Sequence, residues 1–411
     1  MCGWLGYEEG GNSLLSKREF VFTLEDEVWC RYKSFRDAVE LKSAMLKEMP
    51  RKIDLGAIYN VSPIEHKVAS NFKPQIRELV FDIDLSDYDD VRTCCQGATV
   101  CRRCWRFVAA AVTVTDTCLK EDFGFTHRLW VYSGRRGVHC WVADKMAREL
   151  TNEARTAVIN YCSVSRKSDA SCGDDLSWPM HPSLQRAYDI LEPIFEQDII
   201  SGGHGQGHLA EPELWTQLLQ NCNLPTDIAQ QIAEHWSSHT STPIAKFHGL
   251  KELIVDAKTA PKLYNTSTFA LNNKKSKVAN SDQIANKLWK YNLIFKYIYP
   301  RLDENVSKQR NHLLKAPFAV HPKTGRICIP FDPDKVDDFD PELVPTLRDL
   351  AEQIDAAEDP SAPDLDKTSL KSHVDFFQNS FLKPLQDSLA RERRNKNRQQ
   401  ADQNAATQLD F

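Results

Sequence analysis

The chain lacks any long apolar run. Its longest mostly apolar stretch, Phe107 to Val114, is far shorter than the roughly 20 residues a bilayer span needs, so no membrane segment is expected. The opening residues, MCGWLGYEEGG, have neither a basic n-region nor an apolar h-region, so no signal peptide is expected there. No internal repeat is visible. An excess of positive charge is also missing: 52 Lys and Arg face 57 Asp and Glu, a formal −5 with a pI near 6.2. A net basic domain is the usual footprint of nucleic-acid binding, so the average argues against such a partner. That average conceals two unlike parts. Residues 332–366 hold thirteen acidic residues against Lys335 and Arg348, a net −11, which leaves +6 on the rest of the chain.

What is present points elsewhere. A length of 411 residues predicts two or three domains, enough to bury a substantial core. The 41% hydrophobic and 27% charged shares are those of a soluble globular protein. Twelve cysteines occur without a secretory signal, and in reducing compartments clustered cysteines favour a metal over cross-links. Scattered ones such as Cys30, Cys162 and Cys222 read as small buried hydrophobes. The expectation is a soluble intracellular chain.

Residues 19–145 alternate apolar runs with turn signals and read mainly as strands and short helices. The polar stretch 163–183 reads as a linker. From Leu184 the pattern is helical, broken by SGGHGQGH at 201–208 and by Pro225, Pro243 and Pro261. Residues 285–299 form an amphipathic helix closed by Pro300. Strand-like sequence returns at 317–331, where HPKTG is a hairpin turn between apolar arms. The tail is acidic, then basic and poor in apolar residues. This predicts a mixed α/β protein whose core is built from 1–183 and 285–350. A helical subdomain is inserted at 184–284, and a disordered tail follows at 351–411.

Four sites carry chemistry. In ELVFDIDLSDYDD, 78–90, strand alternation puts Leu79, Phe81, Ile83 and Leu85 on one face and Val80, Asp82 and Asp84 on the other. Two carboxylates on an otherwise apolar strand repel each other unless a divalent cation offsets their charge. For D-x-D taken alone, a solvated strand end or helix cap is the more frequent origin. In HRLWVYSGRRGVHCWVAD, 127–144, Gly134 and Gly137 permit a tight turn. Arg135 and Arg136 present planar forks suited to phosphate oxygens, and His139 adds a donor on the same side. The competing reading is a surface hairpin with solvated arginines, against which stand the apolar walls on both sides. In 299–326, Asp303 is a third carboxylate and Lys315 and His321 are further donors, each alone an ordinary loop residue. Three carboxylates together with Arg, Arg, His, Lys and His are what two-metal nucleotidyl transfer requires. In CCQGATVCRRC, 94–104, Cys94, Cys95, Cys101 and Cys104 suit a tetrahedral structural zinc, with Cys118 and His127 as alternative ligands.

VFDID at 80–84, HRLWVYSGRRGVHCWV, RLDENVSKQRNHLLKAPFAVHPKTGRICIP at 301–330 and the cysteine cluster together carry a resemblance. From about Glu19 to Leu350 the chain resembles the archaeo-eukaryotic primase family, and within it the small catalytic subunits of the eukaryotic type. The resemblance implies that family's catalytic fold, with its inserted helical subdomain and zinc-binding motif. It implies that Asp82, Asp84 and Asp303 bind two Mg²⁺ or Mn²⁺ ions. By the same resemblance Ser133, Arg135, Arg136, His139, Lys315 and His321 hold the incoming ribonucleoside triphosphate, and Asp54 touches the ribose hydroxyls. Glu19 and Arg31 lie in segments flanking the site, and the cysteines match a structural Zn²⁺ site. The implied activity is synthesis of short RNA primers on a single-stranded DNA template during replication. The implied partners are a large primase subunit and the DNA polymerase α complex in a nuclear primosome. Two rival readings stand beside it: a repair or translesion primase-polymerase, and a non-catalytic zinc-dependent nucleic-acid-binding subunit. The family pattern has a helical segment ahead of the WLGY-like stretch, whereas this chain begins almost at it. Arg310 has no assigned place.

Overall fold

The computed structural model describes residues 2–9, 12–164, 176–222, 226–255 and 280–409. Two compact units emerge, one of Met1–Asp82, Phe123–Ile159 and Leu302–Phe411, the other of Ile83–Asp122 and Asn160–Arg301. The protein is mixed α/β, as expected.

The first unit carries a small ribbon that pairs Glu8–Glu9 with Asn12–Ser13, and two larger sheets. The strands of the larger sheets are β1 (Arg18–Thr23), β2 (Trp29–Lys33), β3 (Lys52–Tyr59), β4 (Pro74–Ile76), β5 (Leu79–Asp84, whose last two residues fall in the second unit), β6 (Arg128–Tyr132), β7 (Gly137–Val142), β8 (Leu314–Lys315) and β9 (Pro330–Phe331). The first sheet has the order β8-β3-β1-β2, with β4 also pairing β3; the second has the order β9-β6-β7-β5. Phe20, Phe22 and Leu55 from the first sheet and Val80, Leu129, Val131 and Trp141 from the second share one buried core. The HPKTG turn forms as expected, with the His321 amide donating to the Arg326 carbonyl at 2.8 Å and Val320 bridging Ile327. Its two arms then part. β8 pairs antiparallel with β3 in one sheet, and β9 with β6 in the other, so this hairpin ties the sheets together.

A polar knot lies inside this unit. Glu78 accepts from Arg18 at 2.7 and 2.9 Å, from Arg77 at 3.1 Å and from the Tyr7 hydroxyl at 2.9 Å, and all four residues are buried. Burial alone would raise the Glu78 carboxyl; the two guanidiniums outweigh it and hold it well below the usual range.

The second unit is helical and larger than the expected insertion. Helix Arg102–Glu121 packs on helices Pro182–Ile194 and Asn280–Ile298, so 83–122 and 285–301 join 184–284. Residues 102–121 replace the expected strands and short helices with a single 20-residue helix. The β-branched run AVTVT lowers local helix propensity, yet twelve buried side chains along one helix decide the outcome. The linker expected at 163–183 lies mostly outside the described residues, as do Pro225 and Pro261. Pro243 opens helix Pro243–Val255, and Pro300 follows the end of helix Asn280–Ile298.

The tail expected to be disordered over 351–411 is instead largely helical over its described residues, 351–409. It holds helices Leu347–Asp355, Leu370–Phe376 and Lys383–Leu409. Phe377, Phe381 and Leu385 recur every four residues and are buried against Trp4, whose ring lies 5.1 Å from that of Phe381. An apolar stripe this narrow vanishes in the average composition of a charged tail.

Among the described residues no helix is long and apolar enough to cross a membrane.

Candidate active site

Strand β5 carries Asp82 and Asp84 as its only half-buried members between fully buried neighbours. Asp303 reaches this strand through its backbone, its amide donating to the Asp82 carbonyl at 2.9 Å. The Ser307 hydroxyl, one turn on, donates to the Val80 carbonyl at 2.5 Å. Two of the three carboxylates are also helix caps. Asp303 accepts from the Asn305 amide at 3.0 Å, and Asp84 accepts from the amide and hydroxyl of Ser86 at 2.9 Å each. The cap reading and the ligand reading of D-x-D are therefore compatible, because capping with one oxygen fixes where the carboxylate sits.

The turn after β6 is shaped by its first glycine. Gly134 has φ +86°, and a Cβ there would meet the Cβ of His321 at 2.7 Å. The Thr324 hydroxyl donates to the Gly134 carbonyl at 2.7 Å, and Lys315 Nζ donates to the Ser133 carbonyl at 3.0 Å. The Ser133 hydroxyl accepts from the Gly137 amide at 3.1 Å, and the Tyr132 hydroxyl donates to the Arg135 carbonyl at 2.7 Å. Backbone carbonyls are thus engaged by fixed donors, and the turn that carries Arg135 and Arg136 is held in shape.

His139, on β7, is buried, with Nε2 at 3.7 Å from an Asp82 carboxylate oxygen. Burial first, then the charges of Lys315, Lys52 and His321, lower its pKa to about 3. His321 is lowered to about 4 by burial and then by Lys315 and Arg135. Both imidazoles are therefore neutral near pH 7, and each has one N–H to donate. Lys315 stands opposite Asp54 in the β8–β3 register, and burial lowers its pKa too.

Asp54, Asp82, Asp303, Ser133, Arg135, His139, Lys315 and His321 are thus all parts of one unit, and Arg136 sits on the same turn. Glu19, buried on β1, accepts from Arg31 at 3.1 and 3.0 Å and from the Tyr59 hydroxyl at 3.1 Å. Lys52 was not legible as a site residue. Its ammonium lies 2.8 Å from Asp54, and its charge reaches His139, Lys315 and His321. The available signal was its spacing two residues before Asp54, hence on the same strand face. Arg310 is placed outside this group: it donates to the Leu150 carbonyl at 2.7 Å and to that of Glu149, closing the short helix Lys145–Glu149.

In the second unit, Cys94, Cys95, Cys101 and Cys104 bring their Sγ atoms within 4.8 Å of one another. Tetrahedral zinc with bonds of about 2.3 Å sets sulfur pairs roughly 3.8 Å apart, and Cys101 and Cys104 are 3.9 Å apart. Gln206 donates to Cys94 at 3.4 Å and Arg92 to Cys104 at 3.8 Å. A hydrogen bond from Cys104 draws Cys94 down to about 5, and the same bond pushes Cys104 up. The cluster fits a metal such as zinc. The alternative ligand Cys118 is not in it, lying 3.6 Å from Cys162 instead, and neither is His127.

The sequence profile of the DNA primase small subunit family matches residues 81–333, which include the acidic strand, the arginine turn, the cysteine cluster and the HPKTG hairpin. The chain belongs to the DNA primase small subunit family. It is 37% identical to the DNA primase small subunit of Drosophila melanogaster over 380 residues, covering 90% of this chain and 82% of that one. With the Schizosaccharomyces pombe small subunit it shares 35% identity over 86% of this chain and 74% of the relative, and with that of Saccharomyces cerevisiae 34% over 95% and 90%. The small subunit is the catalytic subunit of primase, so the chain is an enzyme with a primase role in DNA replication. The matched region covers every primase-site candidate named above except Lys52, Asp54, Glu19 and Arg31.

Proposed function

We propose that this chain synthesises short RNA primers on single-stranded DNA from ribonucleoside triphosphates by two-metal nucleotidyl transfer. The observation that carries the reading is the backbone bond joining Asp303 to Asp82, beside a cluster of Lys52, Lys315, Arg135, His139 and His321. The carboxylates supply hard oxygen donors, the ligand class that Mg²⁺ and Mn²⁺ select. Asp82, Asp84 and Asp303 would hold two such ions, which when bound supply the Lewis acidity that activates the attacking 3′-hydroxyl and offsets charge on pyrophosphate.

The protein's own groups do the rest. Arg135 and Arg136 present forks to the triphosphate oxygens, and Lys315 adds a point charge whose direction is set by its bond to Ser133. Neutral His139 and His321 donate without repelling the lysines, which suits groups that orient an anion rather than exchange protons with it. The Ser133 hydroxyl completes the cradle. Asp54, held by Lys52, addresses the ribose hydroxyls and so favours ribonucleotides. The cysteine cluster holds a structural Zn²⁺ with all four positions filled, and takes no part in chemistry.

As partners we propose a large primase subunit and, through it, the DNA polymerase α complex in a nuclear primosome. The deciding experiment is templated primer synthesis with Mg²⁺ or Mn²⁺, with and without a large subunit, offering ribo- or deoxyribonucleoside triphosphates. Metal-dependent primers built from ribonucleotides are expected. No synthesis under any of these conditions rejects the reading, and equal use of deoxyribonucleotides favours a repair polymerase.

A further inference from the structure

Strand β2 is the edge of the first sheet, and its surroundings hold an aromatic group that the nucleotide site does not use. The Tyr32 ring lies flat on His66, centroids 3.9 Å apart and planes 18° apart. Phe72 lies flat on Tyr59 at 4.1 Å and 4°, and meets Tyr32 edge-on at 5.9 Å. The Arg31 guanidinium sits 4.8 Å from the Tyr32 ring. Tyr32, His66 and Phe72 are only half-buried, and on the same strand Trp29 is 57% exposed. Four such rings held at a solvent edge are costly unless something covers them.

The backbone makes the arrangement deliberate. Tyr32 has φ +60°, a left-handed conformation that an aromatic residue rarely adopts. It breaks the alternation of β2 and turns the ring onto His66. Strain of this kind persists only where surrounding structure imposes it, and it concentrates at binding sites.

The group also faces the right way. Gly56 is two residues from Asp54 and so on the same face of β3. Where its Cβ would project, the Glu19 carboxylate is 2.8 Å away, and Tyr59 donates to that carboxylate. Tyr59 lies five residues beyond Asp54 along β3, roughly 16 Å at 3.3 Å per residue, a span of a few nucleotides. The segment 60–73, which carries His66 and Phe72, also has exposed Lys67 and Lys73 against a single acid, Glu65. Aromatic faces flanked by cations are the means by which proteins hold single-stranded nucleic acid without reading its sequence.

Building on the proposed primer synthesis, we infer that Tyr32, His66 and Phe72, with Lys67 and Lys73, form a stacking platform for the single-stranded DNA template next to the nucleotide site. Bases lie on the outer faces of His66 and Phe72, which Tyr32 and Tyr59 back from beneath, and the lysines meet the backbone phosphates.

The test uses the full chain and a fluorescein-labelled oligo-dT of about 20 nucleotides, read by anisotropy over a range of salt. Loss of one stacking contact in His66→Ala weakens binding roughly 10-fold. Lys67→Ala with Lys73→Ala makes the slope of log K against log salt shallower by roughly 1.4, since each single-strand phosphate contact contributes about 0.7. Tyr32→Leu keeps apolar bulk but removes the ring, and weakens binding as His66→Ala does. Lys67 and Lys73 are exposed, so the double lysine variant folds even where Tyr32→Leu does not. Unchanged affinity and salt slope in His66→Ala and the double lysine variant overturn the inference. Metal-dependent ATP binding by the unaltered chain is measured alongside. Its absence counts against the proposed function alone, while the comparison of oligonucleotide affinities still decides the platform.

Discussion

The amide of Asp303 donates to the carbonyl of Asp82 at 2.9 Å, joining two carboxylate-bearing residues from distant parts of the sequence. Because the bond uses backbone atoms, replacing either side chain leaves the link intact. Asp82→Ala, and Asp84→Asn, which keeps a side-chain oxygen to cap Ser86, are expected to lower primer synthesis by at least roughly 100-fold, while circular dichroism and thermal unfolding stay close to those of the unaltered chain. Near-normal synthesis by either folded variant would falsify the metal-site assignment.

His321 offers a pH-dependent prediction. Burial and then Lys315 and Arg135 lower it to about 4, against about 6.5 for an unfolded histidine. Between those values the unfolded chain binds a proton that the folded chain refuses, so stability falls as pH drops from about 6.5 toward 4. Above about 6.5 the penalty is absent. His321→Gln removes the titrating group, so the variant is expected to lose less stability than the unaltered chain between pH 7 and pH 4.5. Urea unfolding at both pH values checks this, and equal losses would count against it.

For the cysteine cluster, Cys101→Ser with Cys104→Ser removes half the thiols of the group. Zinc measured by atomic absorption should fall by one ion per chain, and the melting temperature should drop. Any loss of primer synthesis should follow the unfolding curve rather than precede it. Unchanged zinc content means that the ligands lie elsewhere.

The residues readable in the sequence were those whose meaning is local. Asp82 and Asp84 declare their common face by spacing along a strand, and Ser133 to His139 declare a turn by two glycines. Lys52 gains its role only when β8 pairs with β3 and sets Lys315 opposite Asp54. Arg310 was unplaceable for the same reason, since the carbonyls it satisfies belong to residues 149 and 150. The helix Arg102–Glu121 was hidden by β-branched residues whose local preference the packing overrides. The helical unit outgrew 184–284 because that helix lies ahead of the linker in sequence but packs on helices after it.

The C-terminal tail shows most sharply how composition misleads. Phe381 is 2% exposed and meets Trp4 edge-on at 5.1 Å, and Phe377 meets Phe318 at 5.5 Å. Trp4 in turn packs edge-on against Trp141 of β7 at 5.7 Å, the strand that also carries His139. The tail therefore completes the core beneath the second sheet. Phe381→Ala should leave a cavity among these rings and cost about 3–5 kcal/mol, read as a lowered urea midpoint with an unchanged slope. Arg394→Ala, on an exposed face of the same terminal helix, should change stability by no more than about 0.5 kcal/mol. If Phe381→Ala is equally silent, the tail is not part of the core. If it is destabilising, loss of primer synthesis should appear only at temperatures where the variant unfolds, because Phe377 and Phe381 support β7 from behind, through Trp4 and Trp141.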